Sequence, residues 1–97
     1  MKIVVTNAAR ENIIEGFRFY EEQVSGLGQY YRESIYSDID SLEIYAGVHE
    51  IFHGAYYRLI SKNFPFAIYH KIEENAVLIH AVLDCRRHPD RIKSRLG

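Results

Sequence analysis

Cysteine is nearly absent from this sequence. Cys85 is the only one, so no internal disulfide can form. Long hydrophobic runs are missing too. Nothing approaches the roughly 18 consecutive apolar residues of a membrane span. The apolar run near the start, Ile3 to Val5, is too short for the core of a signal peptide. These features predict a reducing, cytoplasmic setting with no membrane partner. There is no glycine-rich phosphate loop and no serine-centred nucleophile motif, and no cofactor is expected. No repeat, linker or low-complexity segment interrupts the 97 residues, which predict a single domain over 1–97. A hydrophobic share of 47% with a net charge of −1 excludes disorder, which needs low hydrophobicity and high net charge.

What is present is unevenly charged. Residues 7–50 carry Arg10, Arg18 and Arg32 against nine carboxylates. Residues 84–97 carry Arg86, Arg87, Arg91, Lys93 and Arg95 against Asp84 and Asp90. The basic tail can attract phosphates or an acidic protein segment, or be the solvated face of a terminal helix.

The β-branched run Lys2 to Thr6 predicts a strand, with Asn7 as helix cap. Ala9, Ile13, Phe17, Tyr20 and Val24 then recur at helical spacing, with Gly16 inside the stripe. Ser25 to Gly28 breaks the pattern. A second helix over 27–46 presents Leu27, Tyr31, Ile35, Ile39, Leu42 and Tyr45, so the two form an antiparallel helical hairpin. Afterwards the pattern reads as strands: one over Ile51 to Ser61, one over Phe66 to Ile72 and one over Val77 to Leu83. The last two are joined by a tight turn at Glu74-Asn75. His88-Pro89-Asp90 opens a short terminal helix through Arg95. The fold class is therefore α+β: an N-terminal strand, then a helical hairpin packed on a curved, mainly antiparallel sheet, β-α-α-β-β-β, with a short C-terminal helix.

A two-residue turn would set Tyr69 opposite His80, Ala67 opposite Val82 and Lys71 opposite Leu78. Phe66, Ile68, His70, Ile72, Val77, Ile79, Ala81 and Leu83 then face the helices. Ala67, Tyr69, Lys71, Leu78, His80 and Val82 form a mixed face left open for binding or chemistry.

One pattern runs through the chain: Tyr20-Glu21-Glu22, Gly26-Leu27-Gly28, Arg58, Phe64-Pro65-Phe66-Ala67-Ile68-Tyr69, Val77 to Asp84, and Arg86-Arg87-His88-Pro89. In order and spacing it resembles the RelE/ParE superfamily of type II toxins, and most closely the branch of plasmid stabilisation proteins. The resemblance implies a sheet curled around a helical hairpin. It implies an antitoxin polypeptide as partner in a toxin–antitoxin hetero-oligomer. It implies one of two targets: messenger RNA on the ribosome, cut by RelE-like members, or DNA gyrase, inhibited by ParE-like members.

Metal-free RNA cleavage wants a general base, a general acid and cations for the developing phosphorane charge. Arg58, Arg86 and Arg87 can supply guanidinium groups, His80 titrates near neutrality, and Tyr69 can donate a proton or stack on a base. Each also has a plainer role. Arg58 can pair with a helix carboxylate, and His80 and Tyr69 can be sheet packing. No catalytic residue is assigned, and Tyr56 and Tyr57 stay unsorted because the register of their strand is open. His49 and His53 do not make a zinc pair, His70 reads as a core histidine, and Cys85 as an inert thiol.

The sequence departs from the nuclease-type relatives. It has no tyrosine after Tyr69, only Lys71 as a cation on the predicted open face, and Asp84 where related sequences often carry histidine. The expectation is a ParE-like gyrase inhibitor neutralised by an antitoxin. The alternatives are a ribosome-dependent messenger RNA endonuclease or a non-toxic binding module of the same fold.

Overall fold

The computed structural model describes residues 1–97. The elements follow in the order β1 (Lys2–Val5), α1 (Asn7–Gln23), α2 (Leu27–Tyr45), β2 (Glu50–His53), β3 (Tyr56–Ile60), β4 (Phe66–Glu73), β5 (Ala76–Asp84) and α3 (Pro89–Leu96). The sheet order is β1-β5-β4-β3-β2, with β1 parallel to β5 and every other pair antiparallel.

The helical hairpin forms as its spacing predicts. The cap of α1 is Thr6, one residue before the expected Asn7. Its backbone is extended, and its Oγ1 accepts the Ala9 N–H at 3.1 Å. Glu21, in the last turns of α1, accepts the N–H groups of Gly26 and Gly28, both at 2.9 Å. That places a carboxylate at the N-terminus of α2, where the helix dipole favours it. Gly16 and Gly28 let the helices approach. A Cβ on Gly28 would lie 2.6 Å from the Phe17 carbonyl oxygen, and one on Gly16 would lie 2.7 Å from Cε2 of the fully buried Tyr31.

The core behind the helices joins Ala9, Ile13, Tyr31, Ile35, Ile39 and Leu42 to Ile68, Val77, Ile79 and Val82 of the sheet. Each fully buried aliphatic side chain contributes about 1.5–3 kcal/mol relative to exposure. The ends of the predicted stripes, Val24 and Tyr45, lie outside it and are exposed.

The sheet differs from expectation in three ways. The segment read as one strand over Ile51 to Ser61 is a hairpin, β2 and β3, which turns at Gly54 with φ of +56°. Glycine tolerates that conformation at no steric cost.

The second difference is a β-bulge. The β4–β5 turn forms as expected, with Glu74 and Asn75 both at positive φ, and Lys71 pairs with Leu78. Then Ile79 pairs with His70 and Ala81 with Tyr69, leaving His80 as an extra residue. The expected pairs Tyr69–His80 and Ala67–Val82 give way to Tyr69–Ala81 and Ala67–Leu83. Beyond the bulge the faces of β5 are exchanged. Val82 enters the helix-side core, while Ala81 and Leu83 join the opposite side.

The third difference is that part of this opposite face is covered, while Lys71, Leu78 and His80 stay half-buried. The short helix α3 lays Ile92 and Leu96 over Ala67, Tyr69, Ala81 and Leu83, with Phe52 and Tyr56 at the margin.

Candidate functional site

The five residues singled out from the sequence fall into two groups on opposite sides of the sheet. Arg58, Tyr69 and His80 belong to the α3 side. Arg86 and Arg87 stand at the end of β5 and line a groove against α1.

On the α3 side, the β2–β3 hairpin sets Arg58 opposite Glu50, and the pair is held by side-chain hydrogen bonds, Nε to Oε1 at 2.8 Å among them. The Arg58 guanidinium lies 4.9 Å from the centre of the Phe52 ring. Tyr69 is its partner on β4, with 0% exposure, its ring 5.2 Å from Phe52 and its hydroxyl without a hydrogen-bond partner. Burial is the main cause that raises the Tyr69 pKa; the nearby Arg58 charge opposes it. His80, the bulge residue, packs edge-on against Tyr56 at 5.1 Å. Burial, assisted by the Lys71 charge, lowers its pKa, which favours the neutral imidazole.

The groove on the other side measures about 290 Å³. It lies between Asn12, Glu15, Gly16, Phe19 and Tyr20 of α1 and the stretch Val82 to Asp84 with Arg86 and Arg87; Phe66 joins its lining. Asn12 reaches across to accept the Val82 N–H at 3.1 Å, where β5 has run past the end of β1. Arg86 is clamped to Asp84 by Nη2–Oδ2 at 2.6 Å and Nε–Oδ1 at 3.0 Å, a contact that holds the Asp84 carboxyl below its usual range. Arg87 is exposed and has no carboxylate within ion-pair distance.

Several of these partners escaped the sequence reading. The spacing of eight between Glu50 and Arg58 carried the signal, because it closes a hairpin once Gly54 is read as its turn. Asn12 sits one residue before the core residue Ile13, and only the sheet edge beside it gives it a task. His70 is fully buried, with Nδ1 3.0 Å from the Ile68 carbonyl oxygen and Nε2 unpartnered. Its ring stacks on Tyr57 at 5.7 Å and meets His49 edge-on at 6.0 Å.

No family model and no curated protein matches the sequence. Among solved structures, the chain is similar to one described as the "Chromosomal ParDE TA system from P. aeruginosa". The TM-score is 0.78 at 13% identity, covering 84% of this chain and 92% of that one. The two chains share a fold. At that identity the likeness speaks for architecture alone. No helix is long and apolar enough to cross a membrane.

Proposed function

We propose that the chain is the toxin of a toxin–antitoxin pair, neutralised by an antitoxin polypeptide, and that it acts as a ParE-like inhibitor of DNA gyrase rather than by cutting messenger RNA. The RelE/ParE-like fold, shared with a chain of a ParDE toxin–antitoxin system, supports the toxin role. The observation favouring the ParE-like branch is the division of the candidate residues between two sides of the sheet. RNA cleavage needs base, acid and cation around one phosphate. Here Tyr69 is sealed beneath α3, Arg58 is occupied by Glu50, and the two tail arginines lie across the sheet.

Three measurements test this. Induction of the chain without a partner should arrest growth, and continued growth would leave only a non-toxic binding module. Purified protein at micromolar excess should block supercoiling by gyrase, and unaffected supercoiling would remove gyrase as the target. Primer extension on translated messages should show no new 5′ ends during arrest. Ends at codon boundaries would move the chain to the RelE-like endonucleases.

A further inference from the structure

The buried apolar stripe of α2 runs through Tyr31, Ile35, Ile39 and Leu42. Asp38 stands on the same side of the helix, three residues after Ile35 and four before Leu42, with 6% exposure. Its Oδ2 is shut off from solvent and has no hydrogen-bond partner, and it is the only carboxylate oxygen of the chain left so. A carboxylate oxygen only accepts, so this one lacks a donor or a cation.

The side chains around it are rich in oxygen. Glu33, Ser34, Ser37 and Asp38 are neighbours on α2, with Glu33 four before Ser37 and Ser34 four before Asp38. They line a pocket of about 230 Å³ against Lys62 and Asn63, which connect β3 to β4. Asn63 Nδ2 donates to Ser34 Oγ at 3.2 Å and ties that link to the helix. Glu33 accepts only from Gln29, on Oε1 at 3.1 Å, so its other oxygen is uncommitted. Arg32, the one basic residue of α2, lies over the Phe17 ring at 5.0 Å. Lys62 is the one cation in the lining, and no ion pair joins it to Asp38 or Glu33.

We propose that this pocket binds a hard divalent cation, Mg²⁺ or Ca²⁺, with Asp38 and Glu33 as charged ligands and the Ser34 and Ser37 hydroxyls as neutral ones. The donor set is all oxygen, which suits these ions over softer metals that seek thiolate or imidazole. One or two carboxylates in a pocket with room for water is the usual arrangement for a cation that keeps part of its hydration shell. The double positive charge supplies what Oδ2 lacks and relieves the repulsion between the two carboxylates. A side-chain ammonium is the rival occupant, and Lys62 is the one in the lining. The site stands whether or not the chain is a toxin.

The test is the melting temperature of the full chain, freed of metal by a chelator and titrated with magnesium or calcium chloride at constant ionic strength. A cation at about five times its dissociation constant should raise it by about 4–8 °C. Comparing the two titrations shows which ion is preferred. D38N should abolish the shift, while E11Q/E15Q, which removes two carboxylates from a separate pocket on α1, should keep it. K62Q should strengthen binding severalfold by removing a like charge. Mn²⁺ as a paramagnetic stand-in should broaden the amide signals of Ser34, Ser37 and Asp38 before those of Glu11 and Glu15. That measurement needs no variant and decides the case if D38N does not fold. No shift with either cation would overturn the proposal, as would equal losses in D38N and E11Q/E15Q or earlier broadening at another surface. Equal loss of metal-free stability in D38N and K62Q, with a parent that ignores both cations, would give Asp38 to Lys62 instead.

Discussion

The two sides of the sheet share strands β4 and β5 but are closed by different means. The helix side is covered by two long helices, joined to it in a cluster of eleven buried residues. The other side is covered by the eight residues of α3, which bring two apolar anchors to a cluster of six. A side closed by few contacts opens locally at lower cost than the whole domain unfolds. The helix side therefore sets global stability, and the α3 side is where partial opening starts. That bears on function, because Arg58, Tyr69 and His80 lie on the side that opens first. The largest test is a pair of truncations. Ile68→Ala should cost about 3–5 kcal/mol in urea unfolding, and Ile92→Ala about 2–3 kcal/mol. Hydrogen exchange should also separate them: Ile92→Ala exposes α3 amides while those of α1 and α2 stay protected. Equal costs with equal exchange profiles would mean the two sides form one cooperative unit.

The two sides also differ in how their polar groups are satisfied. On the helix side Asn12 is buried and accepts the Val82 N–H. Asn12→Ala would leave that donor unsatisfied, at a cost of about 1–3 kcal/mol. The same change at Asn63, whose exposed side chain bonds Ser34, should fall within about 0.5 kcal/mol of the parent. If the two variants unfold at the same denaturant midpoint, the α1–β5 bond carries no weight.

Acid provides a third separation. Burial lowers the pKa of His70 on the helix side, and the nearby His49 adds to that shift. The folded chain then binds fewer protons than the unfolded one, so stability rises with pH. It is fully present above the unfolded histidine value of about 6.5 and declines as pH falls through that value towards the lower folded one. His80 shifts in the same direction, also through burial. The urea midpoint should drop between about pH 8 and about pH 5.5. His70→Gln should remove more of that drop than His80→Gln, because His70 is the fully buried one. A drop unchanged in both variants would place the acid sensitivity elsewhere.

Local patterns were legible in the sequence, and long-range ones were not. The helical stripes, the Glu74–Asn75 turn and the pairing of Lys71 with Leu78 depend on neighbours a few residues away, and each forms as read. The extra residue at His80 leaves no mark in the pattern, because the rest of Val77 to Leu83 is apolar and shows no alternation to break. Only the volume available on each side of the sheet decides that Val82 points one way and Leu83 the other. The cover over the expected open face was visible as Ile92 and Leu96, four apart on a basic helix, but charge dominated its reading. For the candidate site, the residue types were readable while their convergence was not. That depends on which face each strand presents after the bulge and the unread turn at Gly54.

The smallest effect expected is the most informative about that bulge. Deleting His80 joins Ile79, which faces the helices, directly to Ala81, which faces α3, and so restores regular alternation without moving any other residue to the wrong side. The loss should be confined to the edge contact with Tyr56 and some local twist, about 1 kcal/mol. Urea unfolding of the deletion variant measures it, and exchange protection of α3 reports whether Ala81 and Leu83 still meet Ile92 and Leu96. A loss above about 3 kcal/mol, or an unprotected α3, would mean that the bulge itself aims the end of β5 and its arginines. A small loss would mean that the side-chain volumes on the two faces do that alone, and that His80 is free to be judged on its chemistry.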